Sequence, residues 1–184
     1  MTFESDKKTI LSKIDKSKKG SIDKEILKLI NKINKSPNYY TTSSCAGRIL
    51  VISKKSVRKN QAEWLFLTHK TANLKQVKNA LRKLPNSEIW FKQEPPILHV
   101  VARTIEDAQD LVNIVRSIGF KRSGIQSTKK KITIEIGSTE VIATIIADKG
   151  RLLVNDDYLK VLIQKANKKL ENSRKKIKNL YKHF

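Results

Sequence analysis

The order of secondary-structure elements predicted for the middle of the chain constrains its fold more than any other feature of the sequence. Short runs rich in β-branched and aromatic residues predict four strands, and two stretches with apolar residues three and four positions apart predict helices between them. In chain order the strands are "WLFLTH", "EIWFKQ", "ILHVVAR" and "SGIQST", and the helices carry Leu74, Val77, Leu81 and Leu84, then Ile105, Ala108, Leu111, Val112 and Val115. This β-α-β-β-α-β order is that of a ferredoxin-like portion.

Further elements on both sides of this region extend the predicted fold. The run "RILVIS" precedes it as a strand, and two β-branched runs flank Gly137-Ser138 as a tight hairpin over residues 131–146. Asp156 is the predicted cap of a long helix, whose apolar face consists of Leu159, Leu162, Ile163, Ala166, Leu170 and Ile177. No G-x-G-x-x-G sequence follows a strand, so a Rossmann-type fold is not predicted. Together the patterns predict one α+β domain over residues 1–184, a mixed β-sheet covered by helices.

A strong excess of positive charge indicates what the chain binds. The 184 residues hold 39 Lys and Arg against 17 Asp and Glu, a formal net charge of +22. Such a surface attracts polyanions, which favours a nucleic-acid partner over the alternative of a proteome-wide lysine bias. The basic face of the last helix is either solvated or a contact for phosphates, and it carries Lys165, Lys168, Lys169, Arg174, Lys175, Lys176 and Lys178.

Other features of the sequence exclude several classes of protein. No apolar run is long enough to span a membrane, and the first residues lack the apolar core of a signal peptide, so we expect a cytoplasmic protein that binds no membrane. The single cysteine cannot form an intrachain disulfide, and with three scattered histidines it predicts no metal site. No protein partner is indicated, and we expect a monomer.

The stretch "TTSSCAGR" at 41–48 is a candidate anion site. Small polar residues before a glycine can turn successive backbone amides toward an anion, and the hydroxyls of Ser43 and Ser44 add donors. The guanidinium of Arg48 suits a carboxylate or a phosphate. The alternative is an ordinary turn entering a strand, with Cys45 as a small buried side chain.

Histidines and aromatic residues at strand ends are further candidates. His69 ends the strand "WLFLTH", where a general base is possible, whereas His99 within "ILHVVAR" is by itself more typical of a sheet histidine. Glu94 precedes two prolines, a position also typical of a solvated turn. Four aromatic residues either stack on a base or belong to the core: Tyr39, Tyr40, Trp64 and Trp90.

Six segments together resemble the tRNA wybutosine-synthesizing protein three family in its archaeal-type form, over nearly the whole chain. They are "DKSKKGSID", "YYTTSSCAGRI", "WLFLTH", "EPPILHVVAR", "GFKRSGI" and "DDYLKVLIQKANKKLENSRKKI". The resemblance implies an S-adenosylmethionine-dependent N-methyltransferase without a Rossmann fold. Its substrate would be a ring nitrogen of the tricyclic 7-aminocarboxypropyl-demethylwyosine base, 3′ of the anticodon in tRNA(Phe). The alternative is a non-catalytic, basic RNA-binding protein.

The same resemblance implies which residues form the site. Catalytic roles fall to Asp15, Cys45, His69 and His99, although direct methyl transfer needs no covalent intermediate on Cys45. Binding of the donor or the substrate falls to Lys16, Ser43, Ser44, Gly47, Arg48, Glu94, Arg103, Ser123 and Gly124. Gly137 stands where the family pattern has an arginine, so the predicted hairpin receives no role.

Overall fold

The computed structural model describes residues 2–12, 23–54 and 62–184. Within these ranges the chain forms five helices and nine strands. The helices are α1 (Phe3–Leu11), α2 (Lys24–Lys35), α3 (Leu74–Ala80), α4 (Ile105–Ile118) and α5 (Asp156–His183). The strands are β1 (Tyr39–Cys45), β2 (Arg48–Lys54), β3 (Ala62–Thr68), β4 (Glu88–Glu94), β5 (Ile97–Ala102), β6 (Gly124–Ser127), β7 (Ile132–Gly137), β8 (Ile142–Asp148) and β9 (Arg151–Leu152).

These elements divide between two compact units, each built from separate stretches of the chain. The first unit contains residues 1–46, 96–139 and 173–184, and the second contains residues 47–95 and 140–172. Each unit has its own sheet and its own cluster of buried apolar side chains. The single domain expected from the sequence stays a prediction.

Four antiparallel strands form the sheet of the first unit, in the order β1-β5-β7-β6. Along β5 the side chains of Leu98, Val100 and Ala102 are at most 2% exposed, and with Ile134 and Ile136 of β7 they pack against the apolar faces of α2 and α4. Side chains alternate between the two faces of a strand, so His99 lies on the opposite face of the sheet.

The ends of α4 lie where their capping residues predict. The hydroxyl of Thr104 accepts a hydrogen bond from the Asp107 amide, and the Asp107 side chain accepts one from the Thr104 amide, which is a capping box. Gly119 ends the helix with a φ of +110°, a left-handed conformation that glycine adopts without a steric penalty. The apolar face between these ends packs on β5 and β7.

Five antiparallel strands form the sheet of the second unit, in the order β3-β2-β4-β8-β9. Ile49 and Val51 of β2 and Phe91 of β4 are fully buried. They pack with Leu159 and Ile163 of α5, so the first half of this helix covers the sheet. Burial of these apolar side chains is the main stabilising contribution to the unit.

The helix α5 has the apolar face predicted for it. The predicted cap, Asp156, is wrong by one residue: Asn155 caps the helix, because its side-chain oxygen accepts a hydrogen bond of 2.9 Å from the Tyr158 amide. Among the described residues, no helix combines the length and the apolar character needed to cross a bilayer. The six residues of the apolar face predicted for α5 are all buried: Leu159, Leu162, Ile163, Ala166, Leu170 and Ile177.

The predicted α+β class without a Rossmann fold is confirmed, but two antiparallel sheets replace the mixed sheet. The four strands of the predicted ferredoxin-like portion are divided, with β3 and β4 in the second unit and β5 and β6 in the first. The edges of β4 pair with β2 and β8, and those of β5 pair with β1 and β7, so β4 and β5 have no free edge for each other. The prolines between them, Pro95-Pro96, offer no backbone donor to extend either strand.

The hairpin predicted around Gly137-Ser138 is wrong for the same reason. Both edges of β7 are occupied by β5 and β6, while β8 pairs with β4 and β9. The backbone of Gly137 bonds elsewhere: its amide donates to Ser123 Oγ at 3.2 Å, and its carbonyl accepts from the Arg122 amide at 3.1 Å. The two β-branched runs are therefore consecutive strands of different sheets.

Candidate active site

Three polar side chains lie side by side on the face of the first sheet that is opposite α2 and α4. Ser43 of β1 pairs with His99 of β5, and His99 pairs with Glu135 of β7. Partners across an antiparallel ladder present their side chains on the same face. Ser43 Oγ lies 2.8 Å from His99 Nδ1, and His99 Nε2 lies 3.2 Å from Glu135 Oε2. We call these residues the Ser43–His99–Glu135 row.

The acceptor at one end of the row determines how its hydrogens are arranged. An ionised Glu135 accepts only, so His99 Nε2 donates to it. In the neutral ring Nδ1 is then the acceptor, and it receives the hydrogen bond of the Ser43 hydroxyl. The His99 and Glu135 side chains are 27% and 31% exposed, so a ligand can reach them while solvent only partly screens them. This arrangement can pass a proton from Ser43 to His99.

Glu135 and Gln126 belong to this site, but the sequence reasoning missed both. Gln126 Nε2 also donates to Glu135 Oε2, which fixes the carboxylate from the side of β6. The signal was present in "ITIEI", where Glu135 is the single charge in a β-branched run and falls on the face opposite Ile134 and Ile136. What the sequence does not give is the register between β5 and β7, which brings Glu135 to His99.

The predicted anion site of converging amides at 41–48 is wrong. Residues through Cys45 belong to β1, an extended strand whose successive amides point in opposite directions. The next amide, that of Ala46, donates to the carboxylate of Asp23 at 2.9 Å, so the chain itself supplies an anion there. Ser44 and Cys45 are partly exposed and pair with Leu98 and Ile97, and their roles in binding or catalysis stay predictions.

Four predicted site residues belong to the second unit. Arg48 and Glu94 face each other across β2 and β4, and Arg48 Nε donates to Glu94 Oε2 at 2.7 Å. The Arg48 guanidinium lies over the Trp64 ring, 4.9 Å from its centroid, which adds a cation–π contact. His69 Nδ1 lies 3.0 Å from the Gly47 carbonyl oxygen and must donate to it, since a carbonyl only accepts. Gly47 itself has a φ of +86°.

The remaining predicted residues have structural partners or lie elsewhere. The Arg103 guanidinium donates to Glu4 and to the Pro37 carbonyl and so holds α1, and it also lowers the pKa of Glu4. Ser123 is only 2% exposed. Its hydroxyl donates to the Phe120 carbonyl at 2.7 Å and shapes the turn before β6. Gly124 pairs with Glu135 at the start of β6. Two predicted site residues from the N-terminal part of the chain, Asp15 and Lys16, lie outside the described residues.

Comparison with known proteins finds a family model and relatives that match this chain. A family model described as Methyltransferase TYW3 matches residues 5–184. A Pyrococcus furiosus relative, named tRNA(Phe) 7-((3-amino-3-carboxypropyl)-4-demethylwyosine(37)-N(4))-methyltransferase 1, is 40% identical over 181 residues, which are 97% of this chain and 92% of the relative. A Homo sapiens relative, named tRNA wybutosine-synthesizing protein 3 homolog, is 37% identical over 97% of this chain and 71% of its own length.

Solved structures share the fold. The structure of the PH1069 protein from Pyrococcus horikoshii superposes with a TM-score of 0.92 at 38% identity, covering 99% of this chain and 95% of its own. A hypothetical protein from Aeropyrum pernix superposes with a TM-score of 0.76 at 30% identity, covering 88% of this chain and 96% of its own. This chain therefore shares its fold with both proteins.

Proposed function

Because the chain belongs to the TYW3 methyltransferase family, we propose that it methylates the N4 ring nitrogen of 7-(3-amino-3-carboxypropyl)-4-demethylwyosine in tRNA(Phe). Membership confirms the family and the enzyme class predicted from the sequence. The substrate is the one in the names of relatives that are about 40% identical over nearly the whole chain. The observation that supports the chemistry is the Ser43–His99–Glu135 row, which offers a path for the proton that the nitrogen must lose.

We propose that the row works by transferring two hydrogens together. The ring nitrogen gives its proton to Ser43 Oγ while the hydroxyl hydrogen of Ser43 moves to His99 Nδ1, so the serine remains neutral. The positive charge then lies on the imidazole ring, beside the Glu135 carboxylate that stabilises it. The nitrogen keeps the electron pair of the broken N–H bond, and this pair forms the bond to the methyl carbon. The bond between that carbon and the donor's sulfur breaks at the same time, and its electron pair stays on the sulfur, which leaves as a neutral thioether. Such proton transfer typically contributes about 10²–10⁴ in rate.

The methyl donor we propose is S-adenosylmethionine, which supplies a methyl group already activated on a sulfonium. No side chain has to activate that group, so the protein has to align and bind the reactants. Arg48 fits the binding of a carboxylate, because only Nε donates to Glu94 and no acceptor among the described residues bonds its other four N–H groups. The contact with Trp64 holds the guanidinium plane in one orientation.

We propose that the exposed lysines of α5 contact tRNA phosphates. Lys169, Arg174 and Lys176 of the predicted basic face already contact Glu140, Glu25 and Ser138. The lysines of this face that stay exposed are Lys165, Lys168, Lys175 and Lys178. Only these four are therefore expected to bind phosphate.

Replacing these four lysines by Gln is expected to weaken tRNA binding and to reduce its salt dependence. For every lysine that binds a phosphate in the wild-type complex, the replacement should lower the slope of log Kd against log salt by about 0.7–0.9. Filter binding at several salt concentrations measures the slope. The matched control replaces four lysines that are exposed outside α5, which removes the same amount of charge: Lys75, Lys83, Lys129 and Lys130. Equal slopes for the two quadruple variants would show that the α5 face is only solvated.

A methyl-transfer assay tests the function. The protein is incubated with methyl-labelled S-adenosylmethionine and with tRNA(Phe) carrying the demethyl base with its amino-carboxypropyl side chain. We expect label in the tRNA, and none when the same base already carries the methyl group. Intact tRNA binding without transfer would instead support the non-catalytic RNA-binding alternative.

A further inference from the structure

A cavity in the first unit adjoins one end of the Ser43–His99–Glu135 row. It is a pocket open to solvent, has a volume of about 510 Å³ and lies at the edge strand β6 and the turn before it. Both Glu135 and its partner Gln126 line it, so the cavity and the row share a carboxylate. The other lining residues are Arg116, Lys121, Arg122, Ser123, Gly124 and Ile125.

The charges in this cavity are mixed and incompletely paired. Arg116, Lys121 and Arg122 supply three cations, and Glu135 supplies one carboxylate. Arg116 Nε donates to the Ser123 carbonyl at 2.9 Å, which fixes its guanidinium at the wall. Over residues 2–12, 23–54 and 62–184, no acidic side chain forms an ion pair with Lys121 or Arg122. Two cations thus face the cavity without a counter-charge from the described chain.

A glycine keeps the space beside the carboxylate open. Gly124 pairs with Glu135 across β6 and β7, so a side chain at position 124 would stand about 5 Å from that of Glu135. A Cβ built at Gly124 meets no atom within 4 Å. The backbone there does not require glycine, since it lacks the positive φ of Gly119 and Gly150. The missing side chain therefore leaves room for a ligand.

The chemistry of this cavity matches one class of group. A carboxylate next to guanidinium and ammonium groups is complementary to a zwitterionic α-amino acid group, whose ammonium would face Glu135 and whose carboxylate would face Lys121 and Arg122. A phosphate fits less well, because Glu135 would repel it. The carboxylate and the two cations that lack an ion pair within the described chain thus make this cavity complementary to a group that carries both charges.

We propose that the cavity binds an α-amino acid group in its zwitterionic form. The proposal rests on the proposed function, in which two reactants carry this group: the 3-amino-3-carboxypropyl side chain of the base and the methionyl end of the donor. Either one placed here lies next to the carboxylate that orients His99. Binding and proton transfer would then be coupled through Glu135.

Two variants remove the cavity's binding capacity in different ways. Arg122→Gln removes a cation, and Gly124→Val fills the space beside Glu135 with a side chain that suits a strand. Lys129→Gln, an exposed lysine in the same unit outside the cavity, is the matched control. Circular dichroism and thermal unfolding verify that all three are folded.

Equilibrium binding, which needs no turnover, distinguishes the two sources of the group. If the donor's end binds here, both variants should lose about tenfold or more in affinity for S-adenosylhomocysteine but not for 5′-methylthioadenosine, which lacks the amino acid group. If the side chain of the base binds here, both should lose the preference for tRNA(Phe) with that side chain over tRNA(Phe) carrying 4-demethylwyosine. Either result supports the proposal.

Other results would overturn the proposal that the cavity binds an α-amino acid group. Wild-type affinities of both variants in both comparisons would exclude the cavity as the site. Equal losses for the two nucleosides, or for the two tRNAs, would mean that the cavity binds something other than the amino acid group, such as a phosphate. Wild-type protein that binds these ligands without transferring methyl would reject the proposed function alone, because the titrations stand independently.

Discussion

The variant His99→Gln is expected to lower the single-turnover rate of methyl transfer by about 10²–10⁴. The glutamine amide can still donate to Glu135 and accept from Ser43, but it cannot take up a proton at neutral pH. Binding of tRNA and the free energy of unfolding should therefore change little, while the rate falls. A rapid-quench measurement at saturating donor isolates the step.

The control for this variant is His183→Gln. His183 is exposed at the last turn of α5 and is not part of the row. Its replacement should leave the rate within about twofold of wild type, as expected of a surface position. A His99→Gln variant that retained a third or more of the wild-type rate would exclude His99 as the proton acceptor.

The variant Phe91→Ala is expected to lower the free energy of unfolding by about 3–5 kcal/mol. Phe91 is fully buried in β4 and pairs with Val51 on one side and Thr144 on the other. Its loss leaves a cavity between the sheet and α5, where Phe91 packs with Leu159 and Ile163, and the paired strands cannot move far enough to fill it. Folded domains are typically stable by only about 5–15 kcal/mol, so this change is a large share of the total.

Guanidinium-induced unfolding of Phe91→Ala measures this effect as a lower midpoint. Tyr158→Ala is the matched control, because it truncates an aromatic residue of the same unit that is 46% exposed. That control should change the free energy of unfolding by less than about 0.5 kcal/mol. A similar small change for Phe91→Ala would mean that the second sheet does not depend on this buried side chain.

Local patterns in the sequence were sufficient to predict most of the elements and much of the core, although β1 (Tyr39–Cys45) was interpreted as a turn. The alternation of Leu98, Val100 and Ala102 predicts β5 and its buried face, and Thr104 and Gly119 mark the ends of α4. These features depend on residues a few positions apart. They can therefore be recognised without knowing which strands pair.

The pairing of strands was not predictable in the same way. Whether β7 pairs with β8 or with β5 depends on which edges other strands have already occupied, and no short segment encodes that. The row shows the same limit, because Glu135 and His99 are 36 positions apart and meet only through the register of β5 and β7. The predicted nest of amides was wrong because residues up to Cys45 form a strand and a distant carboxylate, Asp23, binds the Ala46 amide.

In the proposed mechanism, Ser43, His99 and Glu135 act together as one path for the proton. A double-mutant cycle of Ser43→Ala and His99→Gln tests it, with single-turnover methyl transfer as the measurement. Residues that act as a unit give strongly non-additive losses, so the double variant should be no slower than His99→Gln alone, within about twofold. If the fold-loss in rate of the double variant equals the product of the two single losses, the two side chains act independently. That result would contradict a shared proton path.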